Sequence, residues 1–457
     1  MTKPARAKTR MTKPEARIKP ETRMTNDQAA PLVSSFGLRH SGLIRISGFG
    51  FRVFLLTCLA PLPIARGDSP AGVLRVLASR HYRIHTDLEP AFAEELARRM
   101  DGMYDEYDRR LADFRAAGDQ PVFDVYLFRH QSDYTRFAGN GSRNTGGVFM
   151  SGKNVLAAFL EGQGRDALRR TLQHEAFHQF AWTAIGPELP VWLNEGMAQL
   201  FEEGLWTGQG FLLGQVPPRR VRQLQAELGG SRIIPFRTLL SIDNKTWGEN
   251  LHRDAILGAT QYNQSWAMVH FLVHATDPTG GAKYRARLIK MLKLIHDGED
   301  GERAFRDAFS DNIDGFQARF VEYARALKPT PEATLIDHQD VLADMLVELA
   351  ERGKHFNDAD EFRRSVADGG YRIKYNKAQV QWSTAEDPLV YFCDLTGRPF
   401  GSDRLYLSPR TGAVLPDLVC RGTDRFQLRT RFHQVSGGSR VEHETVIDAL
   451  PGVAGVR

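Results

Sequence analysis

Cysteine is scarce in this chain: three in 457 residues, at Cys58, Cys393 and Cys420. Spaced so widely, they exclude a zinc–thiolate site. Long apolar runs are also missing. The best, Val53 to Ala65, is interrupted by Pro61 and Pro63 and falls short of the ~20 residues that a membrane-spanning helix needs. No long internal repeat is visible, which argues against a solenoid or propeller. Excess charge is absent from most of the chain. The total is +5, yet the first 23 residues hold eight Lys/Arg and two Glu, a surplus of six that leaves the rest at −1. A nearly neutral body does not present the broad basic surface of a nucleic-acid-binding protein.

What is present describes an ordinary folded chain of two or three domains. Hydrophobic residues make up 42% and charged residues 25%, as in globular proteins generally. Residues 1–44 form a basic leader with too few apolar side chains to build a core. Residues 45–66 carry Arg45 and Arg52, then the short apolar run, then small residues ending in "PIA". That order reads as an export signal, so the expected location is the periplasm, cell envelope or exterior. Membrane contact is expected only through that transient segment. A buried N-terminal strand is the alternative. With the signal removed, Cys393 and Cys420 remain, either as one disulfide or as two free thiols.

Alternating polarity predicts a strand from about Val73 to His85, and helical spacing follows from Glu89 to Phe114. Another strand is predicted over Pro121 to Phe128. "TGGVFMSGKNVLAAFL" reads as a strand pair joined near Ser151 to Lys153. A long helix is predicted from Arg165 to Ala184, and Pro190 suits the first turn of the next. Helical patterns continue at Val221–Leu228, Tyr262–His274, Ala282–Ile295, Glu302–Phe309 and Ile313–Leu327, and again between His338 and Ala367. After that, short alternating runs such as "YRIKYNKAQVQWS", "PLVYFCDL", "RLYLSP" and "RFQLRTRFHQV" predict strands. The fold class is therefore α+β. A sheet-plus-helix lobe and a mainly helical lobe occupy residues 73–330, a helical connector 331–369, and a β-rich module 370–457.

The chemistry concentrates in "TLQHEAFHQFAWTAIGPELPVWLNEGMAQLFEEG", Thr171 to Gly204. On a helix His174 and His178, four apart, share one face, and both imidazoles reach a single ion. Glu175 is turned about 100° away, placed to exchange a proton with a water rather than to bind metal. A catalytic zinc needs a third protein ligand and one open position. Glu195 is the first candidate, because "TAIGPELP" can end one helix and start an opposed one. Glu188, Glu202 and Glu203 are its rivals. A lone histidine here would be read as core or surface. The paired spacing and the glutamate downstream reverse that reading.

With its "HEAFHQF…PVWLNEGMAQLFEE", the chain resembles the gluzincin zinc metallopeptidases, the clan that includes thermolysin and aminopeptidase N. More narrowly it is similar to peptidase-MA-like domains of exported bacterial proteins, which carry "HE..HQ", "P.WLNEG.A" and a later "Y..SW…HFL", here Tyr262 to Leu272. The resemblance spans roughly Leu77 to Leu327. It implies a zincin-like catalytic domain with one Zn²⁺ held by His174, His178 and Glu195. It also implies Glu175 as general base and acid, Tyr262 as donor to the oxyanion, and a peptide or protein substrate. An endopeptidase is favoured, since no "G-x-M-E-N"-like anchor for a free amine precedes His174. One departure stands out: thermolysin-like relatives keep an aspartate one turn after the glutamate ligand, where this chain has Gln199. That leaves Asn194, Gln199 or a backbone carbonyl to orient the histidines. His270 and His274 form a second i, i+4 pair near Asp277, read as helix surface or outer support. The strand Asn154 to Leu160 is either an edge that pairs with substrate or a buried strand. The competing function is a zinc-holding protein that no longer cleaves and works through its C-terminal module. Oligomeric state is not legible.

Overall fold

The computed structural model describes residues 74–115, 121–369, 374–377, 380–383, 387–422, 426–434 and 441–449. The basic leader, the export segment and Cys58 lie outside the described residues. Everything described belongs to one compact unit, and it is α+β.

The first sheet has the order β1-β2-β3-β5-β4. Its strands are β1 (Arg75–Ala78), β2 (Tyr82–Thr86), β3 (Phe123–Phe128), β4 (Gly147–Met150) and β5 (Val155–Phe159). The β2–β3 and β3–β5 pairs are parallel, whereas β1 and β4 run antiparallel to their neighbours. Alternation along the strands sends successive side chains to opposite faces. Ile84, Val125, Leu127, Leu156 and Ala158 pack beneath α1 (Pro90–Arg110) and α3 (Arg165–Ala184). Phe128, Ala157 and Phe159 face the other way, towards Tyr134 of α2 (Gln131–Ala138).

One expectation needs correction here. The single strand over 73–85 is a hairpin, β1 and β2. Its turn carries no Gly or Pro and is made by a distant side chain. Asp101 of α1 accepts from Ser79 Oγ (2.9 Å) and from the Arg80 (3.2 Å) and His81 (3.1 Å) N–H groups. Of the two alternatives for the strand over Asn154–Leu160, the buried one holds: β5 lies inside the sheet between β3 and β4. The edge is β4. Helix α2 has one fully buried side chain, Tyr134, in eight residues, too little periodicity to be seen.

Past α4 (Val191–Glu202) and a two-stranded ribbon, β6 (Leu205–Trp206) with β7 (Phe211–Leu212), seven helices build the second lobe. These are α5 (Pro218–Gly229), α6 (Phe236–Ser241), α7 (Asn244–Arg253), α8 (Ala255–His274), α9 (Arg285–His296), α10 (Gly301–Ala308) and α11 (Ile313–Ala326). They share one hydrophobic core with the first sheet. The sequence pattern does not reveal α6, six residues long, or α7, which is mostly polar. No helix among the described residues is long and apolar enough to cross a membrane.

A second core joins α12 (Pro331–Glu351) and α13 (Ala359–Asp368) to an antiparallel sheet. That sheet is β10 (Leu405–Ser408), β11 (Asp417–Cys420), β12 (Phe426–Gln434) and β13 (Val441–Ala449), preceded by a hairpin of β8 (Lys374–Lys377) and β9 (Val380–Ser383). "PLVYFCDL" is not a strand. Asp387 accepts the Leu389 N–H at 2.9 Å and winds Pro388–Phe392 into a 3₁₀ turn. Cys393 and Cys420 are both free, so the free-thiol alternative holds.

Candidate metal centre

Helix α3 is buried along most of its length, from Leu168 to Ala181. It ends where Gly186, at φ +124°, takes a backbone that other residues rarely adopt. The Ile185 and Gly186 N–H groups donate to the Ala181 carbonyl as the helix closes. The Pro190 carbonyl then accepts from the Leu193 and Asn194 N–H groups and starts α4. Pro190 stands just before the first helical residue rather than within the first turn.

This turn folds α4 back along α3. Glu195, 1% exposed, places Oε2 at 3.3 Å from His174 Nε2 and Oε1 at 3.9 Å from His178 Nε2. One donor atom from each of the three residues lies within 4.8 Å of the others, and all three side chains are buried. No other group of three or more His, Cys, Asp or Glu among the described residues is so arranged.

Gly196 explains why the two helices next to the site approach so closely. A Cβ there would fall 2.5 Å from the Ser265 carbonyl oxygen and 2.6 Å from Val269 Cγ2, both on α8. Gln199, one turn on, donates to the Glu195 and Tyr262 carbonyls, at 3.1 Å each, and accepts from Arg220 at 2.6 Å. It ties α4 to α8 and orients neither histidine.

Other groups orient them. His178 Nδ1 is 2.9 Å from Asn194 Oδ1, and His174 Nδ1 is 3.1 Å from Glu202 Oε2. Both partners are acceptors, so each Nδ1 carries a proton and each neutral ring keeps its lone pair on Nε2, the atom facing Glu195. Two lone pairs against a carboxylate repel unless a positive charge lies between them. Burial opposes charge on His174, but the hydrogen bonds and charges of Glu195 and Glu202 outweigh it and raise the pKa to about 10. Burial and the neighbouring His174 push His178 well below its ordinary value. The donor set thus fits a divalent cation such as zinc: two imidazoles, one carboxylate and an oriented outer layer. Asn194 was among the expected partners. Glu202, a rival ligand by sequence, instead orients His174 because α4 runs back along α3.

Glu175 is fully buried, and its Oε2 accepts the Phe149 N–H of the edge strand β4 at 3.0 Å. Gln173, unnoticed in the sequence, donates to the carbonyls of Phe201, Glu202 and Gly204 and locks α3 to the end of α4. Tyr262 lies two turns inside α8, not at its start. It is nearly buried and meets Trp247 edge-on at 5.1 Å.

The other two rival ligands lie elsewhere. Glu188 is exposed, and Glu203 is held by Arg219 and Arg220. His270 Nδ1 is 2.7 Å from the Tyr323 hydroxyl. Burial and the adjacent His274 lower the His270 pKa to about 3, and burial with Arg110 and Arg285 lowers His274 to about 4. Asp277 is taken up by its own turn with Thr279 and Gly281.

Fold and site together define an α+β protein with one buried His/His/Glu donor set carried on two antiparallel helices. A family model described as a protein of unknown function (DUF1570) matches residues 169–279, a span that holds all three donors, Glu175 and Tyr262. Curated proteins give no match.

Proposed function

We propose that this protein is a zinc-dependent peptidase acting outside the cytoplasm, in the manner of an endopeptidase, on peptide or protein substrates. One observation carries the reading: one donor atom from each of His174, His178 and Glu195 lies within 4.8 Å of the others, and Glu175 directly follows His174 on the same helix. Zinc held there would lower the pKa of a water and polarise a substrate carbonyl.

The chain's own groups supply the rest. The Phe149 N–H fixes the Glu175 carboxylate, which takes a proton from the attacking water and returns it to the leaving nitrogen. Because that donor belongs to an edge strand, a peptide lying along β4 would sit next to the base. Edge backbone groups can pair with an extended substrate. Tyr262 donates its phenol proton to the developing oxyanion. Gln199 supports this role, since it fastens the Tyr262 and Glu195 backbones to one side chain.

The test compares wild type with Glu175→Gln for zinc content and for cleavage of a mixed peptide library. Both variants are expected to hold one zinc, and only wild type to cut. Equal cutting would reject Glu175 as the base. Zinc in both with no cutting by either would favour a zinc-holding protein that binds without cleaving.

A further inference from the structure

The first core is built from residues between Tyr82 and Ala324, the second from residues between Leu335 and Ile447. Where β13 of the second meets the first turns of α3, the contact is ionic and buried. Arg169 of α3, 3% exposed, faces three carboxylates. It donates to both oxygens of Glu95 on α1 at 2.9 and 2.8 Å, to Asp166 at 2.6 Å and to Glu444 of β13 at 3.1 Å. The next residue on β13, Thr445, donates its N–H to Asp166 at 3.3 Å and its hydroxyl to Asp340 of α12 at 2.8 Å. His443 meets Asp344 of α12 at 2.9 Å. Glu442 lies beside Gly164, where a Cβ would be in ordinary contact with its Oε2 at 3.5 Å.

Helix α3 lacks a cap of its own. The residue before it is Gly164, at φ +81°, with no side chain to accept the first N–H groups. Its first turns are anchored instead by Asp166 and Arg169, and both of these reach β13. Arg169 precedes His174 by five residues, about 7.5 Å along the axis. A helix held at this end presents its histidines at one height and rotation. Apolar packing tolerates sliding, whereas a guanidinium shared among fixed carboxylates specifies one register.

We propose that the C-terminal module is a positioning element for the metal-bearing helix, acting through Glu444 on Arg169. The proposal rests on the reading that His174, His178 and Glu195 hold zinc, and not on the cleavage activity. Among the described residues, Glu444 is the one hydrogen-bond partner of Arg169 that comes from the C-terminal sheet. Without it Arg169 keeps Glu95 and Asp166, so the helix stays folded while its placement loosens.

The test measures zinc affinity by chelator competition in the full chain. Glu444→Gln is expected to weaken zinc by roughly 2- to 30-fold, the span of couplings carried through a packed network. Glu444→Asp, with the charge set back by one methylene, is expected to fall between Gln and wild type, and it decides the matter should the Gln variant not fold. Asp448→Asn is the control. Asp448 pairs with Arg429 inside the module and is 40% exposed, so its loss should leave zinc affinity unchanged. Wild-type affinity in Glu444→Asp and Glu444→Gln, or equal weakening in Asp448→Asn, overturns the proposal. Wild type that takes up no zinc overturns the metal reading and this proposal with it. Zinc uptake without cleavage overturns only the peptidase reading.

Discussion

Gly196→Ala tests the packing of the helix that carries Glu195. Two effects of opposite sign compete. Alanine is the better helix former by about 1 kcal/mol. Against that, the new methyl would fall 2.5 Å from the Ser265 carbonyl oxygen and 2.6 Å from Val269 Cγ2. Real Cβ atoms do not approach that closely, and a carbonyl inside a helix cannot rotate away. Overpacking of this kind costs about 1–3 kcal/mol, and contact with backbone puts it near the upper end. The net expectation is a loss of about 2 kcal/mol. Gly248 of α7 is the matched control, because a Cβ there meets nothing within 4 Å. Only the propensity gain applies, and Gly248→Ala should stabilise by up to about 1 kcal/mol. Denaturant unfolding of both variants, with zinc chelated, separates them by about 3 kcal/mol in opposite directions. Equal shifts, or a stabilised Gly196→Ala, would refute the close approach of α4 and α8.

Glu202→Ala removes the acceptor that orients His174 and is expected to lower zinc affinity about 10- to 100-fold, measured against a competing chelator. Tyr262→Phe deletes one hydroxyl; kcat should fall with KM and zinc content little changed, in steady-state kinetics on a cleaved peptide. Glu227 is a buried acid whose pKa is raised to about 7 by burial, outweighing the hydrogen bonds from Gln223, Asn263 and Thr260. A folded pKa above the unfolded 4.5 means stability present below pH 4.5 and lost as pH rises to 7. The loss is roughly 3 kcal/mol, at 1.36 kcal/mol per unit. Glu227→Gln should flatten that part of the stability–pH curve in unfolding titrations, and an unchanged slope would remove Glu227 as its source.

The His/His/Glu donor set was the most legible part of the chain because its geometry is local. His174 and His178 share a helix face by spacing alone, and Gly186 and Pro190 mark the reversal that returns Glu195. The strand pair around Ser151 could be read from its turn residues. What stayed hidden depends on contacts across the fold. The turn between β1 and β2 exists because Asp101 arrives from α1. Glu202 orients His174 only because α4 packs antiparallel beneath α3, so a residue seven positions beyond Glu195 comes back to the first histidine. The Arg169–Glu444 pair joins positions 275 residues apart, a distance no periodicity can bridge. Helix α8 carries buried Gln261, Asn263, Gln264 and Ser265 among its apolar residues. Its polar interior reflects partners such as the Ile234 backbone and Glu227 that sequence pattern does not reveal.

X-ray absorption of the zinc-loaded chain addresses the donor set itself. One equivalent of zinc with two imidazole nitrogens and one carboxylate oxygen, at roughly 2.0–2.2 Å, is the expected spectrum, with uptake lost in His178→Ala. Failure to take up zinc, or a first shell unchanged by replacing Glu195 with Ala, would contradict it.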